Sequence, residues 1–214
     1  DGNKSEDKFT INEEHVYSEG KNYTITVTGN DISGFNCPNL NIISLNLSNC
    51  TGLVSLNCYN SNLTILDLSR NTSLVNLCCY GNKLTSLNLE GATRLNYLDC
   101  NSNQLTSLDV SRNTGLEYIN CNYNKLTALD VSNNIELSHL YCTDNQIEAL
   151  DFTCNARIRQ IYCSNNQLSQ EAYEILYASL PMVNDNSATL WIGSDAPGAY
   201  DYLAKKGWGF NRWP

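Results

Sequence analysis

The chain is poor in proline, methionine, histidine and charged side chains. Its 214 residues include four prolines, one methionine and two histidines, and only 16% of them are charged. Basic residues are the scarcer sign, with 13 lysines and arginines against 22 aspartates and glutamates, a net charge of −9. Because nucleic acids and anionic membrane surfaces are bound by basic patches, this balance argues against both as partners.

Several other signals are missing from the sequence. No apolar run approaches the roughly 18 residues of a membrane-spanning helix, so no membrane insertion is predicted. Neither a starting methionine nor a signal-peptide pattern is present. A glycine-rich phosphate loop is absent, as is the G-G-x-G-x-D turn of calcium-binding β-rolls. No metal and no cofactor are therefore predicted.

Catalytic residues are also hard to find. A Cys–His nucleophile pair needs an accessible thiol within hydrogen-bond reach of an imidazole. His15 lies in the N-terminal segment, and His139 lies three repeats after Cys78, roughly 14 Å away at ~4.8 Å per strand. No catalytic residue is assigned, and the chain is predicted not to be an enzyme.

What the chain does contain is a strict period. Seven of the ten cysteines follow one another at intervals of 21 residues. They are Cys37, Cys58, Cys79, Cys100, Cys121, Cys142 and Cys163. Around them runs the string L-x-x-L-x-C-x-x-N-x-L, and a shorter string, L-T-x-L-D-V-S-x-N-x-x, completes each unit. A period sustained over this length predicts stacked repeats.

The 21-residue unit resembles the IRREKO class of bacterial leucine-rich repeats, over residues 32 to about 168. The ending of the chain is similar to the C-terminal caps of surface repeat proteins from Bacteroidetes. The resemblance implies an extracellular or surface-attached bacterial binding protein. The polar, acidic start resembles the segment after the lipidated cysteine of a surface lipoprotein, so a lipid anchor upstream of Asp1 is a further expectation. The alternative is that the start at Asp1 has no biological meaning.

The predicted fold is therefore an α/β, β-rich leucine-rich-repeat solenoid. About seven turns would stack their strands into a parallel sheet, between an N-terminal β cap and a C-terminal α/β cap. The expected segments are a flexible tether (1–8), a hairpin-like cap (9–31), the solenoid (32–167) and a helix–strand–helix cap (168–214). Caps are expected because an open solenoid end would expose an unpaired edge.

Alternation along a strand assigns the side chains to two faces. In the unit around Leu98 and Cys100, these two side chains point inward, whereas Tyr97 and Asp99 point outward. The asparagines that follow the strands (Asn82, Asn103, Asn124, Asn145 and Asn166) are expected to bond backbone groups of the next turn. Ser61 and Leu40 replace this asparagine in the first two units.

The cysteines allow three interpretations. Neighbours on parallel strands make poor disulfides, and a linear column does not converge on a metal, which leaves buried free thiols acting as small hydrophobes. Cys78 is expected on the exposed face, and Cys50 and Cys154 at an edge. The redox state of these three is left open.

A second column, in the return half, is acidic or amidic: Asn46, Asp67, Asn88, Asp109, Asp130 and Asp151. Oxygen ligands suit calcium, but a solvated ladder bonded to adjacent turns is the preferred interpretation.

The outward positions of the strands carry the candidate ligand-binding residues. Six of the thirteen tyrosines fall there. The candidate set is Tyr59, Tyr80, Tyr97, Asp99, Tyr118, His139, Tyr141 and Tyr162. Tyrosine is enriched where proteins bind, because it offers a large contact area and a hydroxyl; alternatively, the rings only pack on one another across the strands.

Two functions remain open at this stage. The first is a surface or secreted recognition module for a protein or a carbohydrate of unknown identity. The second is a structural spacer or assembly protein without a ligand.

Overall fold

The computed structural model describes residues 22–29, 31–185, 187–193, 196, 198 and 200–212. The predicted tether lies outside the described residues, as does the first strand of the predicted N-terminal hairpin. The hairpin therefore stays a prediction.

Short strands, three residues long in most units, recur along the described chain. They are β1 (Tyr23–Thr28), β2 (Gly34–Asn36), β3 (Ile42–Asn49), β4 (Ser55–Asn57), β5 (Ile65–Asp67), β6 (Asn76–Cys78), β7 (Ser86–Asn88), β8 (Tyr97–Asp99), β9 (Tyr118–Asn120), β10 (His139–Tyr141), β11 (Gln160–Tyr162), β12 (Ala188–Ile192) and β13 (Trp208–Arg212). Two helices lie in the C-terminal part, α1 (Gln170–Ser179) and α2 (Tyr200–Lys205).

One parallel sheet of nine strands forms the main wall of the solenoid. Its order is β13-β12-β11-β10-β9-β8-β6-β4-β2. The seven predicted turns supply β2, β4, β6, β8, β9, β10 and β11, and the C-terminal cap adds two further strands. The solenoid thus has about nine turns, and the cap continues the sheet rather than merely covering it.

The register places the repeat leucines side by side. Leu77 faces Leu98 across β6 and β8, and Leu98 faces Ile119 across β8 and β9. A three-residue strand cannot bury its inner side chain alone, so each turn completes its core with its neighbours. The resulting core is continuous, and Leu77, Leu98 and Ile119 have no measurable exposure.

The cysteine column is buried, as predicted. All seven column cysteines are buried and free. Of the other three, Cys78 is half-buried and Cys154 is exposed. The prediction for Cys50 was wrong: its side chain is fully buried, and its Sγ donates to the carbonyl of Val27 at 3.2 Å. Strand β1 pairs with β3 and covers it, which the local sequence did not indicate.

The strand-exit asparagines form a hydrogen-bonded ladder. Asn124 Nδ2 donates to the carbonyls of Cys100, Cys121 and Asn122 at 3.1, 3.1 and 3.2 Å. Its Oδ1 accepts from the backbone N–H of Leu105 at 3.0 Å. Bonding to an adjacent turn is confirmed, but the adjacent turn is the preceding one, which holds Cys100 and Leu105, and not the next one.

Ser61, at this position in an early unit, does not reproduce the ladder. It is buried, and its Oγ has no hydrogen-bond partner among the described residues. A hydroxyl is too short to span the gap that the amide closes.

The return half contains a second column of buried asparagines. Asn134 Nδ2 donates to the carbonyls of Val110 and Asn113 at 3.0 and 2.9 Å. Its Oδ1 has no hydrogen-bond partner within the described chain. The equivalent Asn113 and Asn155 show the same pattern.

The acidic column of the return half bonds within its own turn. Asp109 Oδ1 accepts the N–H of Ser111 at 2.9 Å, and Asp130 Oδ1 accepts that of Ser132 at 2.9 Å. The expectation of bonds to adjacent turns was wrong, because an aspartate reaches the N–H two residues ahead more readily than the next turn.

The C-terminal cap is fastened by polar contacts. Ser169 is the N-cap of α1, and its side chain accepts the N–H of Ala172. At the other end of α1, Lys206 Nζ donates to the carbonyls of Ala178 and Leu180 at 2.7 and 2.6 Å. A cation at this end satisfies the unpaired carbonyls and complements the helix dipole.

Candidate functional site

The outward side chains of the nine-stranded sheet form the surface that we call the strand face. Three columns run across it, at the third, fifth and seventh positions of each unit. In the first turns the third column is small and exposed, with Gly34 and Ser55, whereas from β8 onward it carries half-buried rings such as Tyr97 and Tyr118. The strand face therefore changes character along the solenoid.

Five aromatic side chains form a continuous row, the aromatic strip: Tyr97, Tyr118, Tyr141, Tyr162 and Trp191. Tyr97 and Tyr118 are stacked with ring centroids 4.5 Å apart, and Tyr141 and Tyr162 with centroids 4.8 Å apart. Each pair lies on adjacent parallel strands, whose spacing of ~4.8 Å matches ring stacking.

The strip changes column between β9 and β10. Tyr118 lies in the third column and Tyr141 in the fifth, so their rings are tilted by 38° with centroids 5.3 Å apart. The Tyr141 hydroxyl donates to Gln160 Oε1 at 2.8 Å and anchors the ring beyond the step. The strip is thus one row and not two separate pairs.

Two other predicted site residues stack on each other away from the strip. Tyr59 and Tyr80 are stacked with centroids 4.5 Å apart, in the seventh column of the early turns. His139 lies beside the strip, 6.1 Å from the Tyr118 ring, and its Nδ1 is 2.6 Å from Ser138 Oγ.

Asp99 is more buried than its outward position predicted. Only 8% of the residue is exposed. Its Oδ1 accepts from the backbone N–H of Asn101 at 3.2 Å and from Asn101 Nδ2 at 2.6 Å. Burial raises the pKa of Asp99, and the hydrogen bonds from Asn101 and Asn120 oppose that rise.

Two tyrosines of the strip, Tyr97 and Tyr118, resist ionisation. Burial raises the pKa of Tyr118, and the neighbouring Tyr97 and Asp99 add to the rise. Burial likewise raises the pKa of Tyr97, with a further contribution from Asp99. The hydroxyls therefore stay protonated at neutral pH and can both donate and accept hydrogen bonds.

Cys78, the cysteine on the outer side of β6, is not an activated nucleophile. Burial, followed by the charge of Asp99, raises the pKa of Cys78 to about 11. A reactive cysteine needs the opposite shift. Within the described residues, no group of three or more His, Cys, Asp or Glu side chains could hold a metal ion.

Two aromatic residues were missed or undervalued by sequence reasoning. Trp191 stacks on Tyr162 with centroids 5.5 Å apart and planes within 9°. It lies outside the 21-residue period, and the burial of Ala188–Ile192 alternates so that Trp191 is on the half-buried, outer side of β12. Tyr123, at the strand exit, is 57% exposed and has a φ of 53°.

The conformation of Tyr123 is unusual for its residue type. The equivalent positions of other turns also have positive φ, and they are occupied by Asn39, Asn60, Gly81, Ser102, Asp144 and Asn165. Glycine, asparagine and aspartate adopt this left-handed region with little strain, but a bulky tyrosine does not. An exposed, strained aromatic beside the strip is a candidate contact residue.

Comparisons with known proteins address the fold. No protein-family model matches the chain, and neither does any curated protein. Among solved structures, it is similar to the leucine-rich-repeat domain of a Shigella effector, with a TM-score of 0.64 and 22% identity, over 86% of this chain and 82% of that one.

Two further structures are similar to it. An internalin from Listeria monocytogenes gives a TM-score of 0.56 and 21% identity, over 79% of this chain and 60% of that chain. A leucine-rich-repeat protein from Leptospira interrogans gives a TM-score of 0.54 and 19% identity, over 71% of this chain and 47% of that chain. The present chain thus spans about half to three fifths of the length of these two.

The described helices are both too short to cross a bilayer.

One conclusion about the fold follows from the nine parallel strands, the 21-residue register and the likeness to three solved structures. The chain is a leucine-rich-repeat solenoid.

Proposed function

We propose that this solenoid is a non-enzymatic recognition module that binds a partner protein through the aromatic strip and its surroundings. The observation that carries the proposal is the strip itself, in which five rings continue across five adjacent strands. Aromatic side chains supply contact area at low entropic cost, and they dominate the energetics of many protein interfaces.

The stacking favours a protein over a carbohydrate. Sugars bind aromatic rings face to face, which requires a free ring face. Tyr118, Tyr141 and Tyr162 each have a ring neighbour on both sides along the strip. They offer their edges and hydroxyls to a partner, and these groups suit a peptide chain with its carbonyls and apolar side chains.

The test is a binding screen with a double variant. The purified chain is applied to arrays of extracellular proteins and of glycans, and each hit is measured again with Tyr118→Ala/Tyr141→Ala. We expect protein hits whose affinity falls by about 100-fold or more, since two central interface aromatics are removed. The variant loses about 1–3 kcal/mol of stability through lost ring contacts and remains folded.

A matched control separates this effect from a general loss of tyrosine. Tyr202 is 46% exposed and lies on α2, which is not part of the nine-stranded sheet. Tyr202→Ala should bind as the parent does. If the double variant binds every hit normally, the strip only packs across the strands, and the alternative function of a structural spacer replaces the proposal. If the chain binds only glycans, the partner is a carbohydrate and not a protein.

We also propose that the protein acts at the outer surface of a bacterium, with repeats of the IRREKO type and a lipid anchor upstream of Asp1. Support comes from the form of the 21-residue unit and from the bacterial sources of the three similar structures. Fractionation of the native source checks this. Recovery of unlipidated protein from the cytosol contradicts it.

A further inference from the structure

The carboxylate of Asp99 is buried on the strand face without a cation beside it. No lysine or arginine occupies any of the three outward columns of the repeat strands. The two ion pairs found in the described part of the chain join Arg112 with Glu90 and Arg157 with Glu136. Among the described residues, Asp99 therefore has hydrogen bonds from neutral donors and no ion-pair partner.

An uncompensated buried carboxylate destabilises a fold. On the two adjacent strands the same position is filled by neutral side chains, Cys78 on β6 and Asn120 on β9. Asn120 Oδ1 accepts the N–H of Asn122, which is the bond that Asp99 forms with Asn101. The turn thus needs an acceptor at this position and has no need of a charge.

Asp99 lies at the N-terminal end of the aromatic strip. It is two residues from Tyr97 on the same strand, and β8 pairs with β9, which carries Tyr118. The carboxylate charge reaches the rings on both sides, since it contributes, after burial, to the raised pKa of Tyr80, Tyr97 and Tyr118. Aromatic rings around a carboxylate are the surroundings that bind an ammonium or guanidinium group.

We propose that Asp99 and the rings around it form a subsite for the lysine or arginine side chain of an extended partner segment, whose apolar side chains lie along the aromatic strip. The partner's cation supplies the charge that Asp99 lacks in this chain. This inference rests on the proposed function and adds the chemical class of the partner. The chain's net charge of −9 favours the approach of such a basic segment.

The geometry sets the length of the segment. From β8 to β12 the strip crosses five strands, about 19 Å at ~4.8 Å per step. An extended peptide advances about 3.3 Å per residue, so roughly six residues cover this span. The cation is expected at one end of the segment and an apolar or aromatic side chain, seated near Trp191, at the other.

The probe is a random decapeptide library displayed on phage and selected on the immobilised chain. We expect the selected peptides to share a lysine or arginine, separated from an apolar or aromatic residue by about three to five positions. Synthetic copies in which glutamine replaces the cation should bind about 10- to 100-fold more weakly, because a charge-assisted hydrogen bond is lost.

The chain offers a matched variant for the other side of the contact. Asp99→Asn places at this position the residue type that the adjacent strand β9 already carries as Asn120. This variant should bind the selected peptides about 10- to 100-fold more weakly than the parent chain does. It should bind the glutamine-containing peptides as tightly as the parent chain does, and it should unfold at the same or a higher temperature. The control Asn120→Asp, one strand along, should not restore binding when added to Asp99→Asn.

The outcomes separate this inference from the proposed function. The Asp99 subsite alone is overturned if the selected peptides depend on Tyr118 and Tyr141 but share no cation. It is also overturned if they bind Asp99→Asn as tightly as the parent chain. Loss of stability in Asp99→Asn makes Asp99 structural and overturns it too. Failure to select any peptide, or binding that survives Tyr118→Ala/Tyr141→Ala, overturns the proposed strip as well.

Discussion

The strand half and the return half of each unit both contain a buried asparagine, but the two amides are satisfied to different extents. Asn124, in the strand half, uses both its Nδ2 and its Oδ1. Asn134, in the return half, uses only its Nδ2. The outward-facing side chains of the two halves differ in how regularly they repeat. The return half repeats its aspartate in turn after turn, whereas the strand half changes from Tyr118 to His139 to Gln160.

This comparison shows where the repeat is free to vary. In the return half, the outer aspartate has a local structural duty, because Asp109 and Asp130 each accept the N–H two residues ahead. In the strand half, only part of the outer surface has this duty. In the fifth column Asp99 and Asn120 accept the N–H two residues ahead, whereas in the third column Tyr97 and Tyr118 stack on each other. Where the fold does not require a particular outward side chain, a repeat protein can use that position to bind a partner.

Alkaline pH should give the largest effect, and it should act on the strand half. Burial raises the pKa of Cys37, Cys121 and Cys163 from 9.0 to about 12. A thiol with a raised folded pKa contributes stability that is complete below pH 9 and is lost as pH rises toward 12. Each such shift corresponds to about 4 kcal/mol when fully titrated, so we expect cooperative unfolding between pH 9 and 12.

Circular dichroism against pH measures this transition. In acid the effect should be small. The pKa values of Asp109 and Asp130 are lowered mainly by hydrogen bonds from Ser111 and Ser132, so their contribution is lost as pH falls through those values. Both side chains are exposed and solvent screens them. The raised pKa of Asp99 acts in the opposite direction, since its protonation favours the fold. A steeper loss in acid than in alkali would contradict the assignment of the titrating groups.

The two asparagine columns give the next largest effect. Asn124→Ala removes four hydrogen bonds. The three carbonyls keep other donors, but the buried N–H of Leu105 loses its acceptor, and we expect a loss of about 3–5 kcal/mol. Asn134→Ala leaves two carbonyls but also removes an unpaired Oδ1, so its loss should be about 1–3 kcal/mol. Urea unfolding of both variants measures the difference. An equal or larger loss for Asn134→Ala would show that the return column is the stronger one.

The cysteine column gives a smaller effect. Cys121→Ser puts a hydroxyl into an apolar column and should destabilise the fold by about 1–3 kcal/mol, and Cys121→Ala should cost less. A thiol reagent should modify the exposed Cys154 and, more slowly, Cys78 in the native chain, and all ten cysteines only after denaturation. Fast native labelling of most cysteines would show that the column is open. A native mass with three or more disulfides would show that the thiols are paired.

The smallest predicted effect is a gain in stability. Tyr123 has a φ of 53°, which asparagine accepts more readily. We expect Tyr123→Asn to raise the free energy of unfolding by about 0.5–1 kcal/mol. Binding of partners captured by the strip should weaken if Tyr123 contacts them. Asn165→Tyr, the reverse change in another turn, serves as the control and should lose a similar amount.

The repeating part of the fold was predictable, and the exceptions have physical reasons. Period and alternation placed Leu98 and Cys100 inside the solenoid and Tyr97 outside it. They could not show that Cys50 is buried, because β1, which covers it, comes from outside the period. They also could not show which neighbouring turn receives the asparagine amides, because the same spacing separates each turn from the one before and the one after.

The candidate site was predicted only in part. The four tyrosines of the strip follow from alternation, but their union with Trp191 does not. The register passes from Ile161 to Leu190, so the 21-residue step is broken there. Burial of Asp99 was likewise hidden, because it depends on how the side chains of its own and the adjacent strands pack around it.

The sequence by itself determined the repeat length, the two faces of each strand and the buried leucine and cysteine columns, because these depend only on period and polarity. The tertiary structure alone decided that the C-terminal cap extends the sheet, that five rings form one strip, and that Asp99 is buried without an ion-pair partner among the described residues. These features arise from contacts between neighbouring strands, and side-chain size and register in three dimensions govern them.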